Sequence, residues 1–413
     1  MLYRSILSTL LILNASTFLA NSANAEMLLQ PLTSQHKLAQ SQAPKPEQSN
    51  LDRGFQLVID GRTRLQGGEA QEAIQLFQQA IAIFQKEGDR FSEARTQNFI
   101  GNVYLNLQQF DRAIASYQGA FKIVSDLQLQ NVKENLQVRL EEVQILQNLG
   151  FTLNRANNWR QAIATYEQAL EKARAIKAQD RELTILNNIG NIYVEIGQFS
   201  QGLERLQQAL AIYESTNNQK SSAGVLLNIG FAYRRLGQFE KALNFYQQSL
   251  KIVQVTGERK IETSILNNIA GVYRSQGKYL QALEAYKASL EVSQQLDLTN
   301  QAATTLSNIG VVYKELGQLD NALRFQELAL QQIQKLGDRQ AESIFLSNIG
   351  SIYDDKGNLK QALSYYEQAL AIHKELNDIP AQGITYNNIG EIYRLSQQND
   401  QAIRNEKQIT CAN

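Results

Sequence analysis

Side chains that could perform catalysis are scarce in this sequence. It holds two histidines, His36 and His373, and a single cysteine, Cys411. Neither a histidine-rich metal site nor a Ser/His/Asp triad can be built convincingly from these groups. A nucleophilic pair of Cys411 and His373 is disfavoured because the cysteine lies close to the end of the chain. We therefore expect no enzymatic activity, no metal site and no cofactor.

Asparagine is the polar residue whose spacing stands out. It recurs in similar surroundings at Asn98, Asn148, Asn188, Asn228, Asn268, Asn308, Asn348 and Asn388. We interpret these as one equivalent position, two residues before a recurring glycine. A carboxamide donates and accepts hydrogen bonds, so a row of them could bind the backbone of an extended peptide whatever its side chains. In the alternative interpretation, these amides bond neighbouring helices and fix the stacking of repeats.

Four cations follow the recurring glycine position by four residues: Arg234, Arg274, Lys314 and Arg394. They could favour an acidic ligand, or they could complement the C-terminal dipoles of helices. Over the whole chain, 40 basic and 40 acidic residues cancel. Because no net field attracts phosphate backbones or anionic lipids, nucleic acid is not an expected partner.

A period of 40 residues organises most of the chain. The triplet Asn-Ile-Gly at 188–190 returns at 228–230, 308–310, 348–350 and 388–390, and as Asn-Ile-Ala at 268–270. Between Gly101 and Gly150 the step is 49 residues, so nine extra residues near Asp126 to Glu142 lengthen one helix or loop. Apolar residues in each block follow helical spacing up to a break such as Gly197. Each block is therefore predicted to be a hairpin of a helix A and a helix B.

Glycine inside helix A costs about 1 kcal/mol relative to alanine, so its recurrence indicates a close contact. Small residues twelve positions later, such as Ala113 and Ala162, are predicted to meet it on helix B. The aromatic residues that follow them, such as Tyr117 and Tyr166, are predicted to fill the seams between hairpins. Ligand stacking is the less favoured role for these rings.

This order of small, aromatic and alanine positions resembles the tetratricopeptide repeat (TPR) family. The match covers residues 51–413 as eight repeats and a degenerate ninth. The resemblance implies an all-α fold, a right-handed α-solenoid of TPR helix hairpins, whose concave groove binds a protein or peptide and carries the asparagine row. The 40-residue period, in place of about 34, is more similar to the Pins and kinesin light chain subgroup, whose arrays bind protein segments.

The first 50 residues differ from the repeats. Residues 1–25 are predicted to be a signal peptide, with a basic start at Arg4, an apolar stretch and a small-residue cleavage site that ends at Ala25. Residues 26–50, rich in Gln, Ser and Pro, are predicted to be a flexible linker. An uncleaved anchor is the alternative, but the apolar stretch is short against the roughly 20 residues that span a bilayer. We expect a periplasmic or secreted protein with no integral membrane span after cleavage.

The second half of the ninth block departs from the pattern. Glu406 stands where the previous block has Tyr366, and Thr410 where it has Leu370. No capping helix is visible, although repeat arrays normally end in one. Self-association through this open repeat is one hypothesis. The chain also resembles the first half of cyanobacterial proteins that end in a CHAT domain, a caspase-like protease module, so a truncated regulatory arm is another. We favour a protein-binding scaffold.

We predict that the exported chain begins at Glu26. Expression in a bacterial host, followed by peptide mass spectrometry of the envelope fraction, measures the N-terminus. Ala25→Phe is expected to block processing, because signal peptidase requires a small residue there. Recovery of chains that begin at Met1 in the unsubstituted protein would contradict the prediction.

Overall fold

The computed structural model describes residues 49–129, 136–215 and 219–396. Within these ranges the chain forms 17 helices and no strand, so the all-α prediction is confirmed. The predicted signal peptide, nearly all of the predicted linker and the second half of the ninth block lie outside the described residues. So do His36 and Cys411.

The helices fall into two units, which are described separately. The first unit, up to Leu236, contains α1 (Asn50–Gln66), α2 (Ala70–Glu87), α3 (Arg90–Asn106), α4 (Phe110–Leu129), α5 (Leu136–Arg155), α6 (Trp159–Ala175), α7 (Gln179–Glu195), α8 (Phe199–Ser215) and α9 (Gln219–Arg235). The second unit, from Gly237, contains α10 (Phe239–Thr256), α11 (Arg259–Ser275), α12 (Tyr279–Gln295), α13 (Thr299–Glu315), α14 (Leu319–Leu336), α15 (Arg339–Asp355), α16 (Leu359–Glu375) and α17 (Ile379–Leu395).

Odd-numbered helices are the predicted A helices and even-numbered helices are the B helices. In the first unit, hairpins α1/α2, α3/α4, α5/α6 and α7/α8 follow one another, and each B helix also packs on the next A helix. The second unit repeats this arrangement with α11/α12, α13/α14 and α15/α16. The array begins slightly earlier than predicted, because α1 starts at Asn50 and the Ser49 side chain accepts a hydrogen bond from the Asp52 backbone N–H.

The turns between helices A and B adopt the left-handed conformation that the glycine pattern predicts. Gly197 has a φ of 80°, and Asn157, the predicted substitute in the third block, has a φ of 59°. Gln108 takes the same conformation, with a φ of 57°, in the second block. Sequence reasoning missed this residue because glutamine carries no turn signal. The hairpin contacts therefore impose the conformation there, against the intrinsic preference of an L-residue.

The nine extra residues lengthen two helices. Helices α4 and α5 contain 20 residues each, whereas the other described helices contain 17 or 18. The remainder of the insertion falls at 130–135, between the described ranges.

A close contact explains the glycine inside helix A. A Cβ added to Gly101 would lie 2.5 Å from the ring of Tyr117, and one added to Gly61 would lie 2.6 Å from the ring of Phe77. The predicted contact with the small B-helix residue is also present, since the added Cβ of Gly190 would lie 3.1 Å from the Gly202 carbonyl oxygen.

The aromatic residues of helix B fill the predicted seams between hairpins, as Phe77 does by packing in one cluster with Ile100 and Val103 of the next hairpin. They have a second role that the sequence did not predict, because Tyr117 also covers the A-helix glycine of its own hairpin. Tyr166 does both: its ring packs over Gly150, and its hydroxyl reaches Asn188 of the next hairpin. The ring is fully buried in each case, so the predicted core role is confirmed.

We predict opposite stability changes for two glycines of the hairpin α3/α4. Gly101→Ala should lower the free energy of unfolding by about 1 to 3 kcal/mol, because the new methyl group overlaps a buried ring. Gly119→Ala is the matched control: it lies within α4, where an added Cβ would meet only Gln97 at 3.8 Å, and it should stabilise by about 1 kcal/mol through helix propensity. Urea denaturation followed by circular dichroism measures both changes, and equal effects would refute the contact.

Candidate functional site

Neighbouring A helices form a continuous surface within each unit. Helix α3 contacts α5, α5 contacts α7 and α7 contacts α9, and in the second unit α11 contacts α13 and α13 contacts α15. We call this surface the A-helix face. Seven of the eight predicted asparagines and three of the four predicted cations lie on these helices, and the other two residues, Asn388 and Arg394, lie on α17.

Positions on this face are numbered here from the recurring glycine, or from Ala270, which replaces it. Seven of the eight predicted asparagines lie at position −2. Asn98 does not, because it lies three residues before Gly101, and Phe99 occupies position −2 in that helix. The equivalence predicted for Asn98 is therefore wrong. Its true counterparts at position −3 are Asn187, Asn267 and Asn387, together with Gln147, Leu227, Ser307 and Ser347.

Positions −2 and −3 are joined by hydrogen bonds between successive A helices. The Nδ2 atom of Asn148 donates to Oδ1 of Asn98 at 3.0 Å. In the same way, Nδ2 of Asn228 donates to Oδ1 of Asn187 at 2.8 Å. In the second unit, Nδ2 of Asn348 at position −2 donates to the hydroxyl Oγ of Ser307 at position −3, at 3.3 Å. These three asparagines link neighbouring repeats.

The bond of Asn148 belongs to a larger network that reaches the core. Its Nδ2 also lies 3.3 Å from Oδ1 of Asn102, which accepts a hydrogen bond from the buried Tyr117 hydroxyl at 2.7 Å. Its Oδ1 accepts from Nε2 of Gln144 at 2.8 Å. The A-helix face is therefore tied directly to the ring that covers Gly101.

The remaining asparagines at position −2 make other contacts. Asn188 donates to the Tyr166 hydroxyl at 3.2 Å, and Asn268 donates to the carbonyl oxygen of Ser264 in its own helix at 2.9 Å. Asn308 and Asn388 make no side-chain hydrogen bond to a described residue, and Asn308 is only 7% exposed.

Asn308 lacks a partner because the amide before it is engaged elsewhere. At position −3 of α11, Asn267 donates to Ser289 Oγ at 2.8 Å and to the Thr263 carbonyl oxygen at 3.0 Å. Its Oδ1 accepts a hydrogen bond from Thr305 Oγ1 at 3.2 Å. These contacts direct the Asn267 amide toward the buried Ser289 and Thr263. Its Oδ1 is therefore not placed to accept a hydrogen bond from Asn308, as Oδ1 of Asn187 accepts one from Asn228.

Charged and amide side chains link three A helices of the first unit. Glu141 on α5 accepts a hydrogen bond from Asn98 Nδ2 at 3.0 Å and lies 3.6 Å from Arg95 Nε, both on α3. Burial raises the pKa of the Glu141 carboxyl group, and Arg95 and Asn98 oppose the change. Arg181 on α7 donates to Gln144 and Gln147, and burial lowers the pKa of its guanidinium. Glu141 lies in the part of the chain that contains the nine extra residues, near Asp126 to Glu142.

Cations at position +4 pair with carboxylates at position +5 of the next A helix. Lys314 Nζ lies 3.2 Å from Asp355 Oδ2 and donates to Ser351 Oγ at 2.6 Å. Arg274 Nε lies 4.0 Å from Glu315 Oε1, and burial raises the pKa of that carboxyl group. The sequence pattern identified the cations but not their acidic partners. Aligning the residues at position +5 of successive blocks would have shown these carboxylates.

The other two predicted cations differ. Arg394 is exposed and pairs with Glu391 of its own helix. Arg234 has no carboxylate partner among the described residues; instead its Cζ atom lies over the Phe231 ring, 5.1 Å from the centroid. The four cations are therefore not equivalent in their surroundings.

The described residues contain no group of three or more His, Cys, Asp or Glu side chains that could hold a metal ion. None of the described helices is long and apolar enough to cross a bilayer. His373 is buried in α16, and burial lowers the pKa of its imidazole.

Comparison with known families agrees with the hairpin geometry. The model of the tetratricopeptide repeat matches residues 61–126, 141–215, 221–295, 261–335, 301–375 and 343–410. These matches span well over half of the sequence, so the chain belongs to the tetratricopeptide repeat family. The search of curated proteins gave no match.

Solved structures share the fold at low sequence identity. Aspartyl phosphate phosphatase F from Bacillus subtilis is 15% identical with a TM-score of 0.56, over 90% of this chain and 96% of that one. The apo quorum sensor NprR from B. thuringiensis is 15% identical with a TM-score of 0.55, over 87% and 98%. A Rap protein complexed with Competence and Sporulation Factor is 15% identical with a TM-score of 0.53, over 88% and 98%.

The family and the shared fold together define the fold class as a TPR α-solenoid, as predicted. They also support a protein–protein interaction scaffold as the general role. The TPR fold is typically non-catalytic.

We predict that the bonds between A helices contribute to stability. Asn148→Ala removes the donor to Asn98 and leaves a buried acceptor unpaired, which should lower the free energy of unfolding by about 1 to 3 kcal/mol. Asn388→Ala, at the same position of α17 but without a hydrogen bond to a described residue, should change it by less than about 0.5 kcal/mol. Urea titration of both variants measures the difference, and similar values would contradict the stacking role.

Proposed function

We propose that the chain binds an extended segment of another protein along the groove of the A-helix face, with asparagine carboxamides as ligands of the peptide backbone. The observation that carries this proposal is the Asn308 side chain, which is 7% exposed and has no hydrogen-bond partner among the described residues. Because the Asn308 amide makes no hydrogen bond within the described array, a ligand can pair with it without breaking an existing bond. A peptide backbone offers the carbonyl and N–H groups that would pair with it.

The asparagines then have two different roles. Asn148, Asn228 and Asn348 donate to the preceding helix, so we assign them to stacking. Asn268, Asn308 and Asn388 make no bond of this kind to a described residue, so we assign them to ligand recognition. This assignment combines the two interpretations of the asparagine row, each for a different part of it.

Backbone recognition suits a scaffold whose ligand varies in side chains. A carboxamide pairs equally well with the N–H and the C=O of any peptide unit, whereas a charged group would select among sequences. The solved Rap complex with Competence and Sporulation Factor is consistent with a partner bound by this fold. The proposed activity is binding alone, without catalysis or a cofactor, at an exported location that rests on the N-terminal sequence.

The truncated protease arm and the self-associating structural protein remain hypotheses. Homology to a caspase-like module in the DNA downstream of the stop codon would favour the first. Light scattering that rises with concentration, together with loss of peptide binding in the associated form, would favour the second.

The test uses the chain from Glu26 and a displayed library of random 12-residue peptides. The selected peptides are measured by fluorescence anisotropy with the triple variant Asn268→Ala, Asn308→Ala, Asn388→Ala. Loss of three amide contacts should weaken binding by about 3 kcal/mol, more than a hundredfold in Kd, with the melting temperature unchanged. The matched control replaces two exposed B-helix asparagines, Asn244→Ala and Asn321→Ala.

The outcomes separate recognition from stacking. A large loss of binding with unchanged melting supports the proposal, and the control variant should bind like the original chain. If melting falls in step with binding, these amides stabilise the fold instead. If neither changes, the groove does not use them.

A further inference from the structure

We propose that a cavity beside Tyr104, in the hairpin α3/α4, binds a small planar aromatic molecule with a hydrogen-bonding group on its edge, such as a phenol or an indole. The cavity lies between α2, α3 and α4, and its volume of about 370 Å³ is within the range of small-molecule pockets. Its α3 residues lie on a different stripe of that helix from Asn98 and Asn102. The inference therefore goes beyond the proposed function and does not depend on peptide binding.

Two hairpins of the second unit contain an aromatic pair at the equivalent place. In each, the ring at position +3 of helix A and the ring at position +15 of helix B are stacked. Tyr313 stacks on Phe325 with ring centroids 5.3 Å apart and an angle of 13° between the ring planes. Tyr353 stacks on Tyr365 at 5.5 Å and 10°. A tyrosine at position +3 therefore presents a ring face on which a second ring lies.

Apolar residues of two further helices adjoin the second ring of such a pair. Phe325 packs in one cluster with Ile309, at position −1 of α13, and with Leu290, at position +20 of the preceding B helix α12. Tyr313 belongs to the same cluster. The aromatic side chain at position +15 is therefore accommodated by three positions: −1 and +3 of its own helix A, and +20 of the B helix before it.

The hairpin α3/α4 has these three positions but lacks the second ring. Position −1 is Ile100, position +3 is Tyr104 and position +20 of α2 is Ile81, and all three residues line the cavity. Position +15 is Ser116, a smaller residue whose Oγ donates to the carbonyl oxygen of Arg112, in its own helix, at 2.9 Å. The cavity therefore corresponds to the space that Phe325 fills in α13/α14, and a ligand with a flat ring can stack on Tyr104 within it.

The polar residues that line the cavity favour an electron-rich ring with a polar edge. The Cζ atom of Arg112 lies 5.6 Å from the centroid of the Tyr104 ring, and a guanidinium attracts the face of an electron-rich ring. The side chains of Gln78 and Gln97 also line the cavity and make no hydrogen bond to a described residue. Their amides can therefore pair with a hydroxyl or N–H group of the ligand. A phenol or an indole combines both features, whereas an aliphatic alcohol has no ring face.

The test measures binding of 4-fluorophenol to the full chain from Glu26 by fluorine NMR. Indole should displace the bound 4-fluorophenol, and cyclohexanol should not. Ser116→Phe supplies the missing ring from within the chain, so it should abolish binding and raise the melting temperature by about 2 °C or more. Tyr104→Leu removes the ring face but keeps an apolar side chain, and it should weaken binding at least tenfold.

Thr165→Phe is the matched control. It adds the same ring at position +15 of α6, where position +3 of α5 is Leu153 and offers no ring face. This variant should bind 4-fluorophenol like the original chain. So should the triple asparagine variant that tests the groove, which separates failure of this inference from failure of the proposed function. Thermal melting checks the folding of every variant.

Four outcomes would overturn the inference. They are no binding of 4-fluorophenol to the original chain, equal displacement by cyclohexanol, undiminished binding in either Ser116→Phe or Tyr104→Leu, and a lower melting temperature in Ser116→Phe. If instead only library peptides with an aromatic residue bind, and Ser116→Phe removes that binding, the cavity accepts a side chain of a protein partner and the assignment to a small molecule is wrong.

Discussion

The described hairpins depend on one contact: a large side chain of helix B lies over a small residue of helix A, which is glycine in every hairpin within a unit except α11/α12, where it is Ala270. Where the covering group is Tyr117, Phe77 or Leu206, an added methyl group on the opposing glycine would approach within 2.7 Å or less. This closeness brings helix A and helix B together. It also fixes the rotation of helix A about its axis. That rotation determines which residues reach the A-helix face, so positions −3, −2, +4 and +5 follow from a packing constraint in the core.

The fold could be predicted from sequence because the same constraint recurs. Repetition at 40-residue intervals turns a weak preference at one glycine into a strong signal, and it gave the hairpins, their turns and the core role of the aromatic residues. The failures occurred where one copy departs from the pattern. Gln108 adopts a left-handed conformation that is not expected for glutamine. Asn98 was assigned to the wrong position because Phe99 breaks the local motif.

The interactions of the candidate site could be predicted only in part. A sequence pattern shows that a residue recurs, but a hydrogen bond between repeats depends on a second position one helix away. Asn228 bonds Asn187, whereas Asn308 has no partner although Asn267 occupies the equivalent place. The difference arises from Thr305 and Ser289, hydroxyl residues that compete for the Asn267 amide. The spacing of the asparagines alone cannot show that competition.

Where the pattern is regular, many polar side chains of neighbouring repeats are bonded to one another, which limits what they can offer a ligand. Where position −2 donates to position −3, or a cation meets a carboxylate between positions +4 and +5, the side chains hold the array together and have little capacity left for a ligand. A ligand must first break those bonds, which offsets what it gains. The groups open to a partner are those at which the pairing between repeats fails, as at Asn308. The failure at Asn308 arises because Asn267, on the preceding A helix, is bonded to Ser289 and Thr305. Specificity in such an array is therefore encoded by its irregular copies, while the regular copies supply the rigidity that keeps unsatisfied donors in place.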